Sequence, residues 1–193
     1  DTASVAIKNW KPLIPHRKDV MINSFTLFDN YLVINEKEKA QDRLRIINQR
    51  TKEEHYIKFK TDIYSIGIGY NPETNTDTLQ FSFSSIKIPS TVFNYHMDTK
   101  EKRVVKKDKK PIGWMGRNIK VNRVWVPTDD GKKVPMTIIY NKWRDGGKKS
   151  KFNRVYMSSY GSYGAGQTIG YSNVIHTMMS RGFTYVIPHV RGG

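Results

Sequence analysis

The chain has 193 residues, of which 37% are hydrophobic and 12% aromatic, which is enough for a packed core and argues against wholesale disorder. It contains no cysteine, which excludes disulfides and thiolate metal sites, and no apolar run long enough to cross a bilayer. Its formal net charge of +16 raises the question of an acidic partner.

The positive charge is concentrated in two segments, Lys100–Lys110 and Lys142–Arg154. One interpretation is an electrostatic surface for nucleic acid or acidic lipid. The other is a pair of solvated lysine-rich turns, which we favour because neither segment carries interleaved aromatic residues or a groove-reading helix. We therefore expect no nucleic acid and no membrane as partners. With no signal peptide recognisable, a cytoplasmic location is expected, with the periplasm as the alternative.

The region from Val20 to Lys107 reads as short strands separated by turns, with no helical period. Alternation is clearest in Leu79–Phe83, where every second residue is apolar. The predicted strands are Asn23–Phe28, Tyr31–Glu36, Leu44–Asn48, His55–Phe59, Tyr64–Tyr70, Leu79–Ser84, Val92–Tyr95 and Arg103–Lys106.

An internal repeat of 48 residues runs through these strands, because Thr51–Glu53 recurs as Thr99–Glu101. The same offset aligns Tyr31 with Leu79, Val33 with Phe81 and Leu44 with Val92. Four strands in about 40–50 residues is the period of a propeller blade. A β-sandwich would give a similar pattern, so both remain open, with the propeller favoured.

The pattern changes after Lys110. An apolar connector at 111–116 is followed by two strands, Val121–Val126 and Val134–Tyr140, which the turn at Thr128–Gly131 joins into a hairpin. This change predicts a domain boundary near 108–118, and we divide the chain into residues 1–110 and 111–193.

A βαβ unit is predicted next, with its two strands parallel and its crossover right-handed. A strand that looks buried, Arg154–Ser158, leads into the glycine-rich turn Ser159–Gly166. A helix over Thr168–Arg181 follows, stopped by Gly182, and then the strand Phe183–Pro188. The apolar residues expected to pack the helix on a sheet are Ile169, Val174, Met178 and Met179.

The glycine-rich turn allows three interpretations. A dinucleotide site would need Gly-x-Gly-x-x-Gly and an acid after the next strand, and neither is present. The turn could instead carry a donor for the oxyanion of a hydrolase, for which a tyrosine hydroxyl is suited. It could also be a tight turn whose tyrosines only pack. The last two remain open on spacing alone.

No catalytic nucleophile is visible. The pattern Gly-x-Ser-x-Gly is absent, and Ser162 does not stand at such an elbow. No histidine stands at a readable spacing from an acid and a serine, so each is interpreted as structural or exposed: His16, His55, His96, His176 and His189. No cofactor and no metal site are predicted.

Several ordered segments resemble the prolyl oligopeptidase family, most closely its oligopeptidase B (protease II) branch. The catalytic-domain segments are Tyr160–Gly164, Arg181–Tyr185 and His189–Gly193. The upstream segments are Phe25–Phe28, Ile68–Glu73, Phe83–Ser85 with Pro89, Met97–Thr99, Val124–Val126 and Asp130–Pro135.

The resemblance implies the last two four-stranded blades of a β-propeller, followed by the first strands and helix of an incomplete α/β-hydrolase domain. Family members of this branch hydrolyse short peptides after Arg or Lys through a Ser-Asp-His triad. Tyr160 falls at the position of the oxyanion tyrosine, although Ser158-Ser159 replaces the usual Tyr-Gly before it. The nucleophile, base and acid are absent from this chain.

The resemblance therefore predicts an inactive interior fragment of a serine oligopeptidase, whose partners in the whole protein are short basic peptides. Self-association through unpaired sheet edges is a further expectation. The alternative is a small basic β-rich module that binds nucleic acid.

Overall fold

The computed structural model describes residues 6–61, 63–110, 118–141 and 154–192. After a short 3-10 turn over Ile7–Asn9, the first four strands form one antiparallel sheet in the order β1-β2-β3-β4. Their bounds are Val20–Leu27, Tyr31–Glu38, Gln41–Asn48 and Glu54–Tyr56.

The next four strands form a second antiparallel sheet in the order β5-β6-β7-β8. Their bounds are Ser65–Ile68, Thr78–Ser85, Ile88–His96 and Lys102–Lys107. All eight strands predicted in this region are thus confirmed, with ends that differ by a few residues. The alternation in β6 is confirmed as well, since Leu79, Phe81 and Phe83 are all buried.

The 48-residue repeat is confirmed by the geometry of two turns. Lys52 and Lys100 lie 48 positions apart, and both occupy the left-handed region, with φ values of 64° and 66°. Lys52 N donates to Asn48 O at 2.9 Å, and Lys100 N donates to His96 O at 2.9 Å. The repeated Thr-Lys-Glu sequence therefore encodes the same turn between the third and fourth strand of each sheet.

One hydrophobic core lies between these two sheets. It contains Val33 and Leu44 from the first sheet and Phe81 from the second, each 0% exposed. Each sheet uses four consecutive strands, so no strand crosses from one sheet to the other. A sandwich of Greek-key type needs such crossings, whereas successive propeller blades do not. The topology therefore favours two adjacent blades, which do not close into a ring.

A third sheet follows, in the order β11-β14-β10-β9. Its strands are β9 (Ile119–Pro127), β10 (Lys133–Asn141), β11 (Arg154–Met157) and β14 (Phe183–Pro188). The β9–β10 hairpin is confirmed, and β11 pairs with β14 in parallel as predicted. Between them lie β12 (Gly161–Ser162), β13 (Ala165–Gly166) and the helix α1 (Asn173–Ser180).

The predicted helix starts too early, and its predicted apolar face is confirmed in part, since Ile169 and Met179 are buried. It begins at Asn173, because Ser172 is its N-cap and accepts a hydrogen bond from Ile175 N. Upstream, Tyr171 N donates to Ser84 Oγ at 3.1 Å, so the chain there docks on the second sheet. The buried helical residues are Ile175 and Met179, while Val174 is 66% exposed. Gly182 ends the helix with φ 84°, as predicted.

The prediction that the strand at 154–158 is buried is also wrong. All four residues of β11 are exposed, with Val155 at 56% and Met157 at 58%. The physical reason is its position, since β11 is an edge strand on which no described element packs. The predicted connector at 111–116 and the basic residues 142–153 lie outside the described residues.

A second core joins the third sheet to the blades. Ile119, Ile139 and Ile187 pack there with α1 residues and with Ile86 from the turn between β6 and β7. His176 on α1 hydrogen-bonds the carbonyl of Ile86 at 2.7 Å. Within the described ranges, no helix is long and apolar enough to span a bilayer.

Candidate functional site

The glycine-rich turn forms a small hairpin that begins four residues after the end of β11. Gly161–Ser162 pairs with Ala165–Gly166, and the two residues between them, Tyr163 and Gly164, have φ values of 56° and 73°. Two successive positive φ values are the signature of a tight hairpin turn. The glycine-rich turn predicted from the sequence is thus a tight two-stranded hairpin.

The hairpin is anchored on the segment after β14. Gly164 N donates to Gly192 O at 2.8 Å. A Cβ on Gly161 would lie 2.8 Å from Val190 O, and one on Gly192 would lie 2.8 Å from Gly161 O. Gly192 also has φ 99°. These glycines are therefore required by a close approach of two backbones, which fixes the hairpin at the carboxyl end of the parallel strands.

Two further hydrogen bonds hold the base of the hairpin. Ser158 N donates to Val186 O at 3.0 Å, which extends the pairing of β11 with β14. Gln167 Nε2 donates to Ser158 Oγ at 3.0 Å, which ties the outgoing arm to the incoming one. Ser158, the departure from the family pattern, thus takes part in positioning the turn.

Tyr160 stands at the start of this hairpin with half of its side chain exposed, and Tyr163 at the tip is 96% exposed. Tyr160 is therefore not a residue of the hydrophobic core. An exposed tyrosine at the carboxyl end of a parallel strand pair can reach a ligand, because ligands of open α/β sheets bind at that edge.

A cavity of about 580 Å³ lies beside the hairpin, between the first blade and the third sheet. We call it the basic cavity, since lysine, arginine and histidine side chains of both units line it together with two aspartates. The lysine and arginine lining residues are Arg17, Lys18, Lys37, Lys39, Arg123 and Arg191, the histidines are His16 and His189, and the aspartates are Asp19 and Asp42. No local motif indicates this cluster, because its members lie up to about 175 positions apart in the chain.

The wall of the basic cavity holds a chain of three polar side chains. Arg123 Nε donates to Thr137 Oγ1 at 3.4 Å, and Thr137 Oγ1 is 2.9 Å from His189 Nε2. The Thr137 hydroxyl accepts from Arg123, and it donates to His189 Nε2 or accepts from it according to the tautomer of the imidazole. Thr137 is 0% exposed, which fixes the orientation of both neighbours.

Burial determines the pKa values of the two titratable side chains in this group, His189 and Arg123. It lowers the pKa of His189 to about 4, with help from the positive charges of Arg123 and Lys37. Burial also lowers the pKa of Arg123 below its ordinary value of 12.5. His189 is therefore neutral at pH 7, which agrees with its prediction as a structural histidine. Three other histidines likewise bond to protein groups, namely His55, His96 and His176.

The β9–β10 hairpin contacts the same segment after β14. Arg191 forms an ion pair with Asp130 in the hairpin turn. The hydrogen bond from Thr128, followed by the one from Arg191, holds the pKa of Asp130 well below its ordinary value of 3.8. Among the described residues, no group of three or more His, Asp or Glu side chains forms a metal-binding cluster.

The comparisons with known proteins agree on one family. The model of the prolyl oligopeptidase N-terminal β-propeller domain matches residues 1–108. Dipeptidyl aminopeptidase BI from Pseudoxanthomonas mexicana is 36% identical over 195 residues, which cover 100% of this chain and 26% of that protein. A prolyl endopeptidase from Elizabethkingia meningoseptica is 31% identical over 125 residues, covering 65% of this chain and 17% of that protein.

A solved structure shares the fold. Oligopeptidase B from Trypanosoma brucei, in a closed form with covalently bound antipain, superposes with a TM-score of 0.83 at 23% identity. The match covers 93% of this chain and 26% of that one. This chain thus spans about a quarter of the length of such proteins. With a family match over more than half of its residues, the chain belongs to the prolyl oligopeptidase family.

Proposed function

We propose that this chain is an interior part of a serine oligopeptidase that hydrolyses short peptides after Arg or Lys. The observation that carries the peptidase class is the similarity over the whole chain to a dipeptidyl aminopeptidase, at 36% identity. The preference for Arg or Lys rests on the resemblance of the sequence motifs to the oligopeptidase B branch. The residues of a Ser-Asp-His triad would lie in the part of the protein that follows this segment. The 193-residue chain alone is then inactive.

We assign residues 1–110 to the last two blades of a propeller and residues 111–193 to the start of an α/β-hydrolase domain. Support for the second assignment comes from the mixed sheet, in which β11 and β14 are parallel and α1 lies between them in the chain. Further parallel strands would add beside β11, whose apolar side chains are exposed at the edge. An α/β domain covers such residues on both faces.

Tyr160 is proposed as the oxyanion donor. Its side chain is half exposed, and the hairpin that carries it is fixed by the backbone contacts of Gly161 and Gly164 with residues 190–192. A rigid donor is what this role requires, because a preorganised hydroxyl loses little energy in reorientation when charge develops on the substrate oxygen.

The test compares the 193-residue chain with a chain extended to the length of its relatives, using short fluorogenic peptides that end in Arg or Lys. The extended chain should cleave them, and the short one should not. Replacing Tyr160 by Phe in the extended chain should lower kcat by about 10²-fold or more. Tyr163→Phe, which removes a hydroxyl from the same hairpin, is the matched control and should change kcat less than twofold. Equal rates for both variants would remove Tyr160 from the mechanism.

The position of cleavage needs its own assay, because the relative that covers the whole chain is named a dipeptidyl aminopeptidase. Two substrates with the same Arg separate the two activities. One has a free amino-terminal dipeptide, and the other has its amino terminus blocked. Cleavage of both indicates an oligopeptidase, whereas cleavage of the free dipeptide alone indicates release of dipeptides.

We also propose that the 193-residue chain self-associates through β11. This strand is an edge strand, and Val155, Tyr156 and Met157 on it are 44–58% exposed. An exposed apolar edge is a template for pairing with another chain. Light scattering after size-exclusion chromatography should show oligomers, and Tyr156→Lys should shift them towards monomer. A monomeric parent chain would refute this proposal.

A further inference from the structure

The basic cavity holds a guanidinium that the protein positions but does not neutralise. Arg123 uses Nε on Thr137 Oγ1 and one terminal nitrogen on the carbonyl of Lys39, at 3.1 Å. Both acceptors are uncharged. Within the described ranges, no carboxylate forms an ion pair with Arg123. A guanidinium has five N–H donors and these two bonds use two of them, so three remain for a ligand.

Two aspartates line the cavity, Asp19 and Asp42, and neither forms an ion pair with Arg123 among the described residues. Asp42 lines the cavity, but it is engaged by Asn23 Nδ2 at 3.2 Å, and burial raises its pKa above its ordinary value of 3.8. Asp42 also lies opposite Lys37 in the β2–β3 register, so its negative charge offsets the positive charge of Lys37 before that of Arg123. Arg17 and Arg191 have their own carboxylates, Glu36 and Asp130.

The chemistry of this wall favours an oxyanion. Arg123 is partly buried, and withdrawing a cation from water without a counter-charge costs free energy, part of which a bound anion would recover. A planar guanidinium binds a carboxylate or phosphate with two parallel hydrogen bonds, and the lysines at the rim add charge. A cavity of about 580 Å³ is large enough for a small ligand.

We infer that the basic cavity is a binding site for an oxyanion, a carboxylate or a phosphate group, with Arg123 as its central ligand and Lys37 and Lys39 as its charged rim. The inference does not depend on peptidase activity. It involves residues of the first blade and of the third sheet, so the bound anion would bridge the two units.

The test follows His189 in the 193-residue chain by NMR, because its imidazole shares Thr137 with Arg123. A neighbouring anion stabilises the imidazolium, so saturating inorganic phosphate should raise the pKa of His189 by about one unit. Arg123→Gln should lower the affinity for phosphate at least about tenfold. Arg103→Gln, an exposed arginine on β8, is the matched control and should bind as the parent does.

Two more arms identify the source of the anion. An acetylated dipeptide with a free carboxylate is compared with its amide, and both are compared with phosphate. Binding of the acid but not the amide assigns the site to peptide carboxylates, and binding of phosphate alone assigns it to free phosphate. If Arg123→Gln does not fold, Lys37→Gln is used, and its affinity should fall about threefold or more.

Three results would overturn the inference. The first is a His189 resonance that responds to no anion. The second is an equal response in the parent and in the variants at Arg123 and Lys37. The third is binding in the 193-residue chain that is absent from the chain extended to the length of its relatives, because a carboxylate of the protein itself would then fill the site.

Discussion

Glu36 on β2 is the most completely buried charge in the described part of the chain, with 0% exposure. Arg17 and Arg45 form ion pairs with it, and the Tyr56 hydroxyl donates to it at 2.9 Å. Burial raises the pKa of Glu36, but the hydrogen bonds from Arg17 and Tyr56 outweigh that effect and hold the pKa below its ordinary value of 4.5. Glu36→Gln removes the charge while keeping the shape.

The expected loss of stability follows from what the substitution leaves behind. Breaking a buried ion pair by removing one partner costs about 3–5 kcal/mol. A glutamine can still accept from Tyr56, which places the expected cost near the lower end, at about 3 kcal/mol. Glu54 provides a matched control, since it pairs with the same Arg45 but its side chain is 49% exposed. Glu54→Gln should cost less than about 1 kcal/mol.

Urea denaturation followed by circular dichroism gives the free energy of unfolding of both variants. The pH dependence adds a second readout. Because the folded-state pKa of Glu36 is lowered, its contribution is present above pH 4.5 and is lost as the pH falls through the folded-state value. Glu36→Gln should therefore weaken the acid-induced loss of stability. Equal costs for the two substitutions would show that burial of the carboxylate does not determine its contribution.

Three further predictions concern other parts of the molecule. Phe81→Ala should cost about 3–5 kcal/mol in urea denaturation, because Phe81 is 0% exposed in the core between the sheets. Gly192→Ala should destabilise the hairpin at Gly161 and increase its amide hydrogen exchange, since the added Cβ lies 2.8 Å from Gly161 O. The free energy of unfolding should fall by about 2–3 kcal/mol between pH 6.5 and pH 4, because His189 takes up a proton at higher pH in the unfolded chain than in the folded one. His189→Gln should abolish this loss.

The blades could be predicted because their signals are local. Apolar alternation in Leu79–Phe83 specifies a half-buried strand, and the Thr-Lys-Glu repeat specifies a turn that forms twice with the same hydrogen bonds. The β9–β10 hairpin follows in the same way from the turn at Thr128–Gly131, where Gly131 adopts φ 75°.

The start of α1 could not be predicted, because a contact with a residue far away in the sequence overrides the local helical spacing of apolar residues. The apolar spacing from Ile169 onward continues the helical pattern, but Gly170 lies against Ser84, where a Cβ would approach Oγ to 2.5 Å. The backbone at Tyr171 then bonds to Ser84 and not to a preceding turn of helix. Ser84 lies 86 positions before Gly170, so a search for helical periodicity around Ile169 does not include it.

The basic cavity was missed for a similar reason. Lys39 and Arg123 are 84 positions apart, and His189 is a further 66 positions along the chain. No motif relates them, and only the docking of the third sheet on the first blade brings them together. The proposed role of Tyr160 rests on a resemblance at the level of sequence, and the structure adds the exposure of its side chain and the anchoring of its hairpin.

The tip of the β6–β7 turn has a consequence for how the two halves can move. Ile86 belongs to the propeller part in sequence, yet it is 2% exposed within the core of the third sheet, and His176 holds its carbonyl. Exposing a buried isoleucine side chain to water costs about 1.5–3 kcal/mol. Opening motions between the propeller part and the third sheet should therefore hinge at Ile86 and separate the surfaces that lie farthest from it.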